Sequence, residues 1–376
     1  MKYCSDIASK KIKILSFLAT ISVVIIHTNA LESNREVPIA WWIGNFIGYA
    51  QRWAVPFFFV VSGFFLHRVV NAKVHFSICD FLKKRVKTLL IPYLCWGAVY
   101  GTVTMTPLLY VVAIVHKASS PLSHTVFTGG VWHTIDCVVG ITCSAPPNGA
   151  LWYLRMLILI TFTSPLWLWI FSRTRWLGIV ISLLLICLTP LSVIDEVPVE
   201  ITFLKLFNID INAIGWVFLG ITISVLKLEV IPPRRGVVVI CVVLWATLTF
   251  LPLPFKYLDA PVSPCVRVLH RVAPIMFIIV FWRLVDWFEG VFPQKLFSYS
   301  GLGFWIYCMH HPITGYVSAG FHMLLGYSIY ESICYQAVGW IVVLGICTCF
   351  YFIIQKRFPR TFVVLTGGRA VERQVN

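Results

Sequence analysis

Four residues in this sequence carry side chains that could do chemistry in unusual surroundings: His27, Arg52, Arg155 and His310. An imidazole titrates near neutrality and can take a proton from a hydroxyl group. A guanidinium stays charged and holds an anion through a planar fork of N–H donors. His27 ends the run KIKILSFLATISVVIIHTN, residues 11–29. Past Lys13 this run is apolar and, with its flanks, long enough to cross a bilayer. At 100° per residue Lys13, Ser16, Thr20 and His27 fall within roughly 60° of one another, forming one polar stripe. At 1.5 Å per residue His27 lies about 21 Å beyond Lys13, past the middle of a hydrocarbon core. A titratable group at that depth is expensive and marks a cavity or a bundle interior. A histidine that only hydrogen-bonds a neighbouring helix is the plainer reading.

His310 sits in SYSGLGFWIYCMHHPITGY, about 12 residues or ~18 Å from the inner edge of its run, a depth close to that of His27. His311 and Pro312 follow it. Arg52 lies in YAQRWAVPFFFVVSGFFL, about 11 residues from the outer edge and so near mid-membrane, where an arginine is costly unless it faces water or a partner. Downstream of it Pro56 frees a backbone carbonyl, and Ser62-Gly63 permits close approach of another helix or a ligand. Arg155, in GALWYLRML, is a few residues inside the outer boundary; snorkelling to the headgroups explains it as well as a site role does. Arg267, His270 and Arg271 cluster at the outer start of a later run, and Asn208, Asp210 and Asn212 at another. Each of those clusters is also ordinary interface polarity. No serine has the spacing of a nucleophile elbow, and no His/Cys/Asp cluster has metal-ligand spacing.

The elements that must position these residues are membrane helices. Of 376 residues 59% are hydrophobic and 12% charged, and runs near 20 apolar residues fill almost the whole length, which excludes a soluble domain. A lipid-exposed backbone must satisfy its own polar groups, so the spans are helical. The expected fold is therefore all-α, a polytopic integral membrane protein forming one membrane domain over residues 1–376. About ten spans are expected, over 13–30, 41–66, 88–115, 150–171, 176–194, 208–226, 236–254, 270–288, 297–319 and 329–354. The net charge of +15 suggests nucleic acid, but the placement of the basic residues points elsewhere: 22 of the 30 Lys and Arg fall on alternate connections and the tails. The positive-inside rule then puts both termini and the 67–87 connection in the cytoplasm. That connection carries Lys83, Lys84 and Arg85, which serve as topology signals and equally suit phosphate oxygens. The twelve cysteines show no C-x-x-C spacing and read as small apolar fillers. Cys137 and Cys143 are placed to pair on the oxidising side, and two free thiols fit equally well. The stretch VWHTIDCVVGIT, residues 131–142, reads as a short helix at the interface.

The same stretches resemble the acyltransferase-3 family of integral membrane proteins, which transfer acyl groups, most often acetyl, onto bacterial surface carbohydrates. The matching pieces are LATISVVIIH, RWAVPFFFVVSGFFL, KKRVKTLLIPYL, LWYLRML and FWIYCMHHP, in the family's order from end to end of the chain. The resemblance implies a bacterial inner-membrane enzyme with no permanently bound cofactor, using an acyl-CoA such as acetyl-CoA as co-substrate from the cytoplasm. It also implies a carbohydrate or lipid-linked glycan acceptor met at the other face, membrane lipid as surroundings, and no nucleic acid partner. It suggests His27 as the essential histidine and Arg52 and Arg155 as site arginines. The family places an arginine eleven residues before that histidine. Here Ser16 stands there, with Lys13 one turn inward on the same face.

On this reading His27 is the general base, Arg52 or Arg155 stabilises the oxyanion or binds donor phosphate, and His310 orients His27 or the acceptor. Lys13, Lys84, Arg85, Ser62 and Gly63 are the expected donor-binding positions. Two other classes stay open. One is a secondary transporter of an anionic metabolite or glycolipid, with the arginines as counter-charges; no second copy of RxxVPFFF or IIHTN supports a repeat. The other is a catalytically degenerate binding or sensor subunit.

Overall fold

The structure is a computed structural model of the chain, and it describes residues 6–71, 77–101, 149–173, 176–188, 210–230, 234–288 and 301–369. Cys137, Cys143 and the 131–142 stretch lie outside the described residues. Every regular element described is helical.

The first helix, α1 (Asp6–His27), ends on the histidine itself. A short turn leads to α2 (Pro38–Ala50), which starts on a proline, where a missing N–H costs nothing. The chain turns at residues 51–53 and continues as α3 (Ala54–Asn71). The second span is therefore not one helix over 41–66. Pro56 cannot donate to the carbonyl four residues back, which is that of Arg52, and the helix restarts just before it. This moves Arg52 from the middle of a helix to a break. With 18 residues, α3 alone is about 27 Å long.

The basic helix α4 (Ile78–Arg85) is capped by Ser77, whose hydroxyl accepts the Asp80 N–H at 3.3 Å. A wide turn at Val86–Leu90 joins it to α5 (91–101), with Pro92 just past the join, where its missing donor does least harm. Then come α6 (Trp152–Arg173), α7 (Leu177–Leu188), α8 (Ile211–Leu226), α9 (Arg235–Phe250), the short α10 (Leu253–Tyr257) and α11 (Pro264–Phe288). The last group is α12 (Leu302–Leu325), α13 (Ile329–Cys334), α14 (Trp340–Arg357) and α15 (Pro359–Leu365).

Among the described residues five stretches are long and apolar enough to cross a membrane: Pro38–Val70, Gly149–Phe171, Arg235–Tyr257, Pro264–Asp286 and Ile329–Arg357. Two shorter apolar helices, α7 and α8, accompany them. Leucine, isoleucine, valine and phenylalanine cover the outer faces, as on Val239, Ile240 and Val243 of α9, because lipid is the solvent there. The protein is an all-α, multi-spanning membrane protein.

Three larger contiguous cores, and a small one between α9 and α11 around Val238, Cys241 and Val280, hold the described helices together. One joins α5, α6, α12, α14 and α15 around Trp96, Trp305, Tyr351 and Phe362. Its indoles are tied down: Trp305 Nε1 donates to the Cys347 carbonyl at 3.0 Å and Trp96 Nε1 to the Leu365 carbonyl at 3.0 Å. The second joins α3, α6, α7 and α8 around Trp216 and Phe218. Here Gly63 and Gly220 meet backbone to backbone. A Cβ on Gly63 would overlap the Val217 carbonyl and one on Gly220 the Val60 carbonyl, so neither position tolerates a side chain. The third packs α1, α3 and α11 around Trp53, Phe57 and Phe277, with Trp53 and Phe277 stacked at 4.5 Å.

At the end of the bundle opposite α4, a polar clasp ties the turn after α1 to α2 and α10. Lys256 Nζ reaches Glu32 at 2.8 Å and Asn45 at 2.7 Å, and Arg35 forms a two-pronged pair with Asp259. The hydrogen bond from Arg35 holds the exposed Asp259 carboxyl below the usual carboxylate range.

Candidate functional site

Three imidazoles converge where α1 ends beside the middle of α12. The rings of His27 and His310 lie 5.0 Å apart at 51°, and those of His27 and His311 lie 5.3 Å apart, nearly edge-on. His310 is fully buried, whereas His27 is exposed and His311 half-buried. The innermost ring is thus fixed, and the outer two are more accessible.

The backbone sets the tautomer of His310. Its Nδ1 lies 3.1 Å from the Ile306 carbonyl and 2.8 Å from the Tyr307 carbonyl. Both are acceptors, so Nδ1 carries the proton and Nε2 keeps its lone pair. That Nε2 is buried and has no hydrogen-bond partner. A buried acceptor left open is costly, and it awaits a donor. The His27 ring is the nearest described ring able to supply one.

Further polar groups ring the cluster. Tyr100 Oη is 3.3 Å from His311 Nδ1. Gly149 leaves room for the His311 ring, since a Cβ there would come 3.2 Å from Nε2. Tyr307, whose carbonyl holds His310, packs its ring 5.5 Å from that of Tyr153 and donates its hydroxyl to the Ala150 carbonyl. Tyr153 in turn donates to the Phe58 carbonyl at 3.3 Å and shares a 3.0 Å bond with Ser62. On the polar stripe below His27, Thr20 donates to the Ser16 carbonyl at 2.9 Å and its hydroxyl faces Gly303 of α12. The stripe on α1 therefore looks onto α12. Among the described residues no three His, Cys, Asp or Glu side chains are arranged to hold a metal ion.

The residues expected from sequence do not all meet here. His27 and His310 are brought together. Ser62 lies next door, bonded to Tyr153. Gly63 faces the backbone of Val217 on α8. Arg155 is buried on α6, about 200° around the helix from Tyr153. Lys13 is half-buried on α1, two turns before Thr20. Lys84 is exposed on α4, whereas Arg85 is half-buried with its guanidinium 5.0 Å from the Phe81 ring. Arg52 belongs to a different cavity, one lined also by Arg267, His270 and Arg271.

Sequence reasoning passed over His311 and Tyr100 as site residues. The signal for His311 was in plain view, because adjacent histidines on a helix diverge by about 100° and a third ring on another helix can lie between them. Tyr100 had no such signal.

The chain is 26% identical over 335 residues to the succinoglycan biosynthesis protein ExoH of Rhizobium meliloti (strain 1021), an alignment covering 87% of this chain and 82% of that protein. No solved structure matches the chain. The family described as acyltransferase domain, the acyltransferase-3 family, matches residues 10–354, a stretch containing most of α1, α12 and all three histidines, and the chain belongs to that family.

Proposed function

We propose that the protein moves an acyl group, acetyl in the simplest case, from an acyl-CoA that arrives at the α4 side to a hydroxyl of a surface or exported carbohydrate. The observation that carries the reading is the pairing of an exposed His27 with a buried His310 whose tautomer is fixed and whose Nε2 is open. His27 acts as general base. It takes the proton as the acceptor oxygen attacks the thioester carbonyl, and it returns that proton to the sulfur when the carbon–sulfur bond breaks. His310 Nε2 accepts the other N–H of His27, which orients the ring and steadies its charged form, the part a carboxylate plays in other histidine-based sites.

Family membership supports acyl transfer, and the name of the Rhizobium relative supports a polysaccharide context. The experiment is to give membranes containing the protein radiolabelled acetyl-CoA and follow label into carbohydrate. Transfer by the wild type and none by His27→Ala is the expected result. Equal label in both would sink the proposal.

A further inference from the structure

The break at Arg52 opens onto a second cavity of about 400 Å³, built by α2, α3, α8, α9 and α11. Its lining includes three arginines, Arg52, Arg267 and Arg271, together with His270. Among the described residues none of the three arginines pairs with a carboxylate. The nearest acid in sequence to a lining residue, Asp210, is engaged as a helix cap, its Oδ1 accepting the Asn212 N–H at 2.9 Å. Arg267 Nε is buried with no hydrogen-bond partner. Arg52 lies with its guanidinium carbon 3.7 Å from the centre of the Tyr49 ring, and the Tyr49 and His270 rings are 5.3 Å apart. His270 is itself tied by Nδ1 to the Leu248 carbonyl at 3.3 Å, so the cluster has fixed walls.

Three like charges on one cavity repel one another, and a buried guanidinium N–H without an acceptor is expensive. An oxyanion between them answers both costs, because each fork can donate two N–H groups to it. The rest of the wall is aromatic. Trp53 and Trp245 line it and both pack on Phe277, at 4.5 and 5.0 Å. Flat, rigid, amphipathic faces of this kind suit the apolar face of a sugar ring, whereas a phosphatidylglycerol or phosphatidylethanolamine headgroup has no ring to lay there.

We propose that this cavity binds an anionic saccharide, with the carboxylate on the arginine end and a sugar ring on the tryptophan wall. Placing that saccharide on the acyl acceptor rests on the acyl-transfer reading above; the binding itself does not.

The test is equilibrium binding, without any acyl donor, to purified protein in nanodiscs of neutral phosphatidylcholine. The probes are a trisaccharide bearing one hexuronate and the same trisaccharide with its carboxyl reduced to an alcohol. The hexuronate form is expected to bind at least about tenfold more tightly than the reduced form, with an affinity that falls as salt rises. Arg267→Gln and Arg271→Gln are each expected to weaken it about tenfold, and Arg271→Lys less. Arg271 is exposed, so its variants keep the question open to an answer even if Arg267→Gln misfolds. Equal affinity for the two trisaccharides, or an Arg271→Gln protein that binds like wild type, overturns the proposal. Loss of hexuronate binding when phosphatidylglycerol replaces the neutral lipid overturns it too, because the cavity is then a lipid site. Since no acyl donor is present, failure here and failure of acyl transfer are separate results.

Discussion

His27 and His310 are held at one level by a shared register. Seven residues separate Thr20 from His27 on α1, and seven separate Gly303 from His310 on α12. Thr20 faces Gly303, and His27 faces His310. Two contacts with the same offset mean that the helices run parallel, side by side, for at least two turns. Gly303 makes this possible, because a Cβ there would press to 3.2 Å of the Thr20 hydroxyl. The histidine pair is thus a product of helix packing as much as of residue type.

Removing the base should remove the activity. His27→Ala is expected to lower acyl transfer by about 10²–10⁴, while the protein still accumulates in the membrane. His27→Gln keeps a hydrogen-bonding side chain but cannot take up a proton, and it should be equally inactive. Near-normal turnover by the glutamine variant, measured with saturating donor and acceptor, would reduce His27 to a structural role. Label on His27 from donor alone would indicate an acyl-histidine relay instead.

His310 acts through His27 and should show a different signature. Loss of a hydrogen bond to a charged group is worth about 1.5–3 kcal/mol, or about 10- to 100-fold in rate. His310→Ala should therefore lower kcat within that range and leave the donor KM near wild type. A raised donor KM with unchanged kcat would place His310 in donor binding.

Much of this was legible in the sequence, and the limits have physical causes. The apolar runs announced the helices, and the depth of His27 and His310 announced that they could meet, because depth is set by residue count alone. The break at residues 51–53 was not legible: Pro56 pointed to a bend, but a proline tells only that a donor is missing, not where the helix restarts. The grouping of Arg52 with Arg267, His270 and Arg271 depends on how α3, α9 and α11 pack, and no local pattern records that. Gly63 offered a helix or a ligand as neighbour from sequence, and the close backbone of Val217 on α8 depends on packing that no local pattern records.

That glycine contact makes a stability prediction. Gly63→Ala and Gly220→Ala each force α3 and α8 apart, because the opposing atoms are backbone and cannot rotate away. Overpacking of this kind costs about 1–3 kcal/mol. Thermal unfolding in detergent should show both variants destabilised, whereas Gly345→Ala, with open space around its Cα, should unfold like wild type.

Topology can be read from two exposed thiols at opposite ends of the bundle, Cys79 on α4 and Cys265 at the start of α11. With the basic α4 in the cytoplasm, an impermeant maleimide added to intact cells should modify Cys265 and spare Cys79. The reverse pattern would invert every connection.

Donor entry from the basic side predicts a kinetic effect at α4. A CoA carries several negative charges, and Lys84 is exposed there, free of packing duties, while Arg85 leans on Phe81. Lys84→Ala should raise the donor KM and leave kcat near wild type, since it removes attraction that acts before the chemical step. Because part of that attraction is long-range, the difference between variant and wild type should shrink as ionic strength rises past the point where the Debye length is about 10 Å. Arg85→Ala should raise the same KM but also loosen α4 on its own packing, so its effect should persist at high salt. A donor KM unchanged by both substitutions at low salt would leave these residues as topology signals only, and the donor would have to enter elsewhere.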